Sequence, residues 1–164
     1  MDTLRVQREL EQLHMRRHQL LILCHAPRVS VLPRLAKQLH FPLISLSLSL
    51  SEALLECPHS RQPRVAGMLV ERLVSGCGET VVGLHRIELL FLPRLQLDPL
   101  RLLEQLSRNK MLVVTWPGHY KGGQLVYAEP WHPEYRRYIE TDARIITFEE
   151  SREEHDEVSR LDSI

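Results

Sequence analysis

The stretch from Gln19 to Lys37, QLLILCHAPRVSVLPRLAK, constrains the fold more than any other part of the chain. Leu20-Leu21-Ile22-Leu23 is an apolar run without alternation, the pattern of a strand buried on both faces. A turn-like break follows at His25-Ala26-Pro27. Apolar residues resume at Val29, Leu32 and Leu35–Ala36, close to the spacing of one helix face.

Strand, loop and helix near the start of a mixed chain is where nucleotide-binding proteins keep a phosphate loop. The register G-x-x-x-x-G-K-[ST] falls on His25 to Leu32. His25 and Ser30 stand at the glycine positions, Val31 at the lysine and Leu32 at the hydroxyl, with Ala26, Pro27, Arg28 and Val29 between. The glycines would let backbone N–H groups wrap phosphate, the lysine would neutralise it, and the hydroxyl would hold Mg²⁺. Arg28 supplies a cation that can still pair with a phosphate, while Pro27 removes one N–H donor. The acid that orients the metal falls at the end of a second strand, Thr80–Leu84, where His85 stands instead; Glu88 lies three residues on.

Elsewhere the chain alternates helix and strand. Met1 to His18 reads as an amphipathic helix ahead of the first strand, with His14 and His18 at a spacing that can hold a metal. Arg16 and Arg17 beside them oppose one. Phe41 to Leu48 alternates from Ile44 onward, which predicts an edge strand opened by Pro42, followed by a short helix from Ser51 to Leu55. Val65, Met68, Leu69, Leu73 and Val74 predict a helix stopped by Gly76 and Gly78. Asp98-Pro99 opens another, with Leu100, Leu103 and Leu106 as its buried face. Met111 to Thr115 is the clearest central strand, broken by Trp116-Pro117-Gly118. Gly122-Gly123 predicts a hairpin into Gln124–Tyr127, Pro133 to Tyr138 a single helical turn, and Ala143 to Phe148 a last strand. These elements predict one α/β domain over 19–148, its sheet mostly parallel and flanked by helices, preceded by the helix of 1–18 and followed by an acidic tail over 149–164.

At 164 residues the chain is long enough for one well-filled core. Lys plus Arg and Asp plus Glu number 21 each, so no overall charge argues for nucleic acid or an anionic membrane. The charge is nevertheless polarised. Residues 1–37 carry seven basic side chains against three acids, and residues 140–164 nine acids against three arginines. Solvated faces account for this polarity, and so does docking between copies. The cysteines Cys24, Cys57 and Cys77 form no C-x-x-C pair and read as reduced thiols. With charges throughout the first eighteen residues and no membrane-length apolar run, a cytoplasmic protein without membrane contact is expected.

Three further groupings can be written down. Cys57, His59, Cys77 and His85 make a zinc set on paper, though scattered over unrelated loops. Ser75-Gly76-Cys77-Gly78 resembles a nucleophile elbow only loosely, since no base adjoins Cys77. Trp116, Tyr120, Tyr127, Trp131, Tyr135 and Tyr138 gather near Lys121, Arg136 and Arg137. That mixture marks interface hot spots and single-strand stacking surfaces. Packing of a hairpin over the sheet edge explains the same residues.

The run HRIELLFLPRLQLDPLRLLEQLSRNKMLVVTWPGHYKGGQLVYAEPWHPEYRRY, residues 85–138, resembles the BrxF family, small phosphate-loop proteins of type 3 BREX bacteriophage-exclusion systems. The shared words are Ile87–Phe91, Leu97–Gln105, Ser107–Asn109, Val113–Gly118 and Ala128–Tyr138, with a weaker match extending over about residues 10–148. The resemblance implies a single P-loop NTPase (AAA+-like) domain with a C-terminal β-hairpin, and a role in antiphage defence beside other proteins of its system. Thr115 matches the AAA+ sensor by position only, and Arg108 or Arg136 resembles a finger reaching a neighbouring subunit's nucleotide. The family's phosphate loop and acid do not carry over to His25–Leu32 and His85. A non-hydrolysing assembly or regulatory subunit is therefore expected, with no cofactor, self-association, and Arg108, Trp116, Tyr120, Trp131, Tyr135, Arg136 and Arg137 as interface candidates. An ATP·Mg²⁺-binding switch using Arg28, or a weak ATPase, is the alternative. A DNA-binding accessory subunit, using the basic N-terminal helix and the aromatic cluster, is a further and least favoured one, with DNA otherwise contacted only indirectly, within a complex.

Overall fold

A computed structural model describes residues 2–25 and 31–148. The apolar run becomes β1, Leu20–His25, paired in parallel with a strand on each side. Its neighbours are β4, Met111–Thr115, and β8, Arg144–Phe148. Beyond β4 come β3, Val81–His85, and β2, Leu43–Ser45, giving the order β2-β3-β4-β1-β8 with every pair parallel. Leu20 to Leu23 are all 0% exposed, as the unbroken apolar run predicts.

Parallel strands need crossovers, and these divide between the two faces. The helices α1, Asp2–Leu13, and α2, Val31–Leu39, cover one face. There Val6, Leu13, Leu32 and Leu35 meet Leu21, Leu23 and Val113. The helices α3, Leu46–Leu54, α4, Gln62–Ser75, and α5, Pro99–Leu106, cover the other. Leu50, Leu54, Val70 and Leu103 meet Leu20, Ile22, Leu112 and Val114 there. Adjacent residues of β1 and β4 thus serve opposite cores, the consequence of a side-chain period of two.

Four predicted elements differ. The first helix stops at Leu13, so His14 and His18 do not share a helix face. His18 instead bonds Asp142 at 2.8 Å through Nδ1 and accepts from Arg108 at 3.4 Å. The alternation expected to be a strand through Leu48 gives only the edge strand β2 and then helix, because Leu46, Leu50 and Leu54 also recur every four residues and are buried. Leu48 is left 60% exposed. In α4 the buried face is Gln62, Ala66, Val70 and Val74, and Met68 points outward at 44% exposure. The helical turn expected over Pro133–Tyr138 is replaced by a strand, β7, Arg136–Tyr138.

β7 completes a separate antiparallel sheet with β5, His119–Lys121, and β6, Gln124–Tyr127. Gly122 and Gly123 turn the hairpin at positive φ, a region that glycine enters without strain. Leu125 and Tyr138 join the core on the α3–α5 face, which docks this sheet on the domain. Asp98 opens α5 as an N-cap, accepting from Arg101 N–H at 3.3 Å. It also accepts the Tyr138 hydroxyl at 2.7 Å.

Gly118 leaves β4 against the backbone of β6. A Cβ there would lie 1.8 Å from the Val126 carbonyl oxygen. Gly118→Ala is expected to destabilise the chain by about 3 kcal/mol or more, read as a fall in the urea midpoint. An unchanged midpoint would show that the small sheet does not dock through this contact.

Candidate functional site

In a doubly wound sheet, ligands bind outside the carboxyl ends of the strands where successive connections leave to opposite faces. Here that point is the end of β1. Its crossover α2 lies on one face, whereas α4, α5 and the small sheet, which connect the other strands, lie on the opposite one. Cys24 and His25 end β1, Thr115 ends its neighbour β4, and His85 ends β3 beyond it.

Residues 26–30, with Ala26, Pro27, Arg28, Val29 and Ser30, lie outside the described residues. The two positions that would carry the phosphate chemistry are described. Val31 is 1% and Leu32 0% exposed, both packed with Leu35 and Val113 in the α1–α2 core. Apolar side chains turned into the core offer no cation and no metal-binding oxygen.

His85 pairs in register with Ser45 at the end of β3 and is half-buried. Burial, with help from Arg86, lowers its pKa, while Glu88 acts in the opposite sense. A neutral imidazole therefore stands where an acid is expected. Glu88 is exposed on the 3₁₀ turn Glu88–Phe91, 3.5 Å from the Ser47 hydroxyl. That hydroxyl also donates to the Arg86 carbonyl and accepts from Leu89 N–H, so Ser47 knits the start of α3 to the chain leaving β3. Thr115 sits opposite Leu23, and its Oγ1 is buried without a hydrogen-bond partner among the described residues. By strand alternation Thr115 and His85 face the α2 side together. Cys24 faces the other side, 2% exposed, and burial pushes its thiol up to about 12, which disfavours the thiolate.

The aromatic candidates separate into two groups. Trp116 is core, 2% exposed, donating from Nε1 to the Val126 carbonyl at 3.0 Å. Phe91 lies 5.5 Å from Trp116 and 3.9 Å from Tyr127 between ring centroids, and Trp116 lies 6.0 Å from Tyr138. Burial and Asp98 raise the Tyr138 phenol well above the usual tyrosine range. Tyr135 is half-buried, and Arg136 donates to the Leu97 carbonyl at 2.9 Å. Tyr120, Trp131 and Arg137 remain exposed, Trp131 at 81%. Arg108, bonded to His18, lies beside the amino ends of β1 and β4, at the far end of these strands from Cys24 and Thr115.

Among the described residues no group of three or more His, Cys, Asp or Glu could hold a metal, so Cys57, His59, Cys77 and His85 do not converge. No described helix is long and apolar enough to cross a membrane. Sequence reasoning passed over Gln62, a buried polar residue at the start of α4 whose amide donates to the Leu54 and Cys57 carbonyls at the end of α3 and just after it; its place just before Pro63 was the available signal. No family model, no curated protein and no solved structure matches the chain.

The His85 shift has a definite sign. With its folded pKa below the unfolded value, the unfolded chain binds the proton first, so stability falls as pH drops through the unfolded histidine range near 6.5. The urea midpoint is expected to fall between about pH 7.5 and 5.5, and His85→Gln to flatten that slope. Equal slopes in both proteins would show that His85 is not the desolvated group.

Proposed function

We propose that this chain is a phosphate-loop-fold subunit of a BREX-type antiphage system that works by assembly with protein partners and does not hydrolyse nucleotide. The observation that carries the reading is the burial of Val31 and Leu32 at the lysine and hydroxyl positions. Two supporting features are the parallel sheet with helices on both faces and the neutral His85 in place of the metal-orienting acid. ATP·Mg²⁺ does not fit these residues, and no step is routed through it. The exposed part of the aromatic region, Tyr120, Trp131 and Arg137, is the surface offered to sister proteins or to a second copy.

A nucleotide-binding switch has one observation on its side, the unpartnered Thr115 hydroxyl at the end of β4. Thermal unfolding separates the two readings. A nucleotide at about a hundred times its Kd stabilises the folded state by about 2.7 kcal/mol, which raises Tm by several degrees. Millimolar ATP·Mg²⁺ is expected to leave Tm unchanged. A rise lost in Arg28→Ala would establish the switch instead. Co-purification with the other components of the system tests the assembly itself, and a monomer that captures none of them overturns it.

A further inference from the structure

The three-stranded sheet docks through one face only. Successive residues of a strand point to opposite sides, and the pairings of β5, β6 and β7 fix which residues share a side. Tyr120, Leu125, Tyr127, Arg136 and Tyr138 share the side turned to the domain, where Tyr127 meets Phe91 and Arg136 bonds the Leu97 carbonyl. His119, Lys121, Gln124, Val126 and Arg137 share the outer side. There His119, Lys121 and Arg137 are exposed, Gln124 and Val126 are half-buried, and none of the five is an acid. The Lys121 and Arg137 side chains make no ion pair or hydrogen bond among the described residues.

The register also sets the spacing of these groups. His119, Val126 and Arg137 stand directly across from one another, so two strand spacings put the backbones of His119 and Arg137 about 10 Å apart. Lys121 follows His119 two residues along β5, about 7 Å away. One residue beyond that row, the loop 128–135 leaves β6 for β7. Turn bonds close it, from His132 N–H to the Glu129 carbonyl at 2.8 Å and from Tyr135 N–H to the His132 carbonyl at 3.0 Å. This loop presents Trp131 at 81% exposure. Its acids are Glu129, which is exposed, and Glu134, which lies 3.8 Å from His132 Nδ1 and whose charge acts on Tyr127 on the domain side.

A face that carries cations and no carboxylate suits a polyanion. The only aliphatic side chain on it is Val126, so the exposed indole has little apolar surface around it and suits a flat stacking partner. We propose that the outer face of the small sheet binds a single strand of nucleic acid. Lys121 and Arg137 take phosphates, His119 and Gln124 are further donors, and a base stacks on Trp131. Phosphates and base faces are common to DNA and RNA, so binding is indifferent to the sugar. The inference goes beyond assembly with proteins and does not rest on it. It shares Trp131 and Arg137 with the surface offered above to protein partners, and the test separates the two occupants.

Labelled oligothymidylate and oligouridylate, each of about twelve residues, are titrated with the full chain by anisotropy at increasing salt. Both are expected to bind alike, with Kd about 10⁻⁴ M or tighter at physiological salt, and to quench tryptophan fluorescence. With two phosphates neutralised, log Kobs should fall against log salt with a slope of about −1.4. Lys121→Gln and Arg137→Gln should each reduce that slope by about 0.7, and Trp131→Ala should weaken binding about tenfold. Arg8→Gln, an exposed change on α1, should leave binding and slope unchanged. The proposal is overturned if neither oligonucleotide binds, or if binding survives Lys121→Gln, Arg137→Gln and Trp131→Ala alike. It is also overturned if both oligonucleotides fail while an acidic peptide copied from residues 149–164 binds and Arg137→Gln abolishes that binding. The face would then take an acidic protein segment.

Discussion

The parallel pairing of β1 on both edges, with burial on both faces, is the constraint from which the rest of the domain follows. A strand in that position has no side open to water, so Leu20 to Leu23 are apolar without exception. Its backbone is satisfied only between β4 and β8, and Gln19 extends the ladder by exchanging bonds with Ser107 and Leu112. Because the side chains alternate, one strand feeds two cores, and each core requires helices of its own. β1 supplies Leu21 and Leu23 to the core that α1 and α2 cover, beside Met111 and Val113 of β4.

The second structural dependence is the docking of the three-stranded sheet. It bridges β4 and β8, and its contact with the domain is aromatic and polar at once. Trp116 and Tyr138 meet edge to face, a geometry that aligns the positive rim of one ring with the negative face of the other. The Tyr138 hydroxyl then reaches the same Asp98 carboxylate that caps α5. A helix cap and a strand thus share one acceptor, and neither is placed independently of the other. Arg101 reinforces the junction, lying 5.9 Å from the Tyr138 ring centre and bonding Glu104 at 2.7 Å. Its partner Glu104 is 7% exposed and also accepts from Thr141 at 3.0 Å, so this buried carboxylate keeps its partners.

How much of this is legible in the sequence depends on whether the deciding contact is local. The apolar runs at Leu20–Leu23 and Met111–Thr115 carry their own evidence, as does Asp98-Pro99, a cap beside a proline with fixed φ. The stretch Ile44 to Leu54 misleads because Ile44, Leu46, Leu48 and Leu50 satisfy a period of two, while Leu46, Leu50 and Leu54, every fourth residue, make a helix face as well. Only the surface that Leu46, Leu50 and Leu54 meet decides between them. Arg136–Tyr138 is a strand because β6 lies beside it, a pairing across a turn of eight residues that no local propensity announces. The aromatic cluster was legible as a cluster but not as two populations. The row Tyr120–Leu125–Tyr138 runs from the rim of the small sheet into the core, and Trp116 joins the core through its bond to Val126.

At the end of β1 the same reasoning explains why the expected place can exist without the expected chemistry. A phosphate loop ties the start of its helix to a ligand, with backbone N–H groups and a lysine holding the phosphates. In this chain the start of α2 is held by Val31 and Leu32, which bury against Leu23, Val113 and Leu35. Burial of two such side chains is worth about 1.5–3 kcal/mol each, available with no ligand present. The start of the helix is therefore seated by the core itself. Placing Lys and Thr at these positions would remove apolar contacts from a filled core.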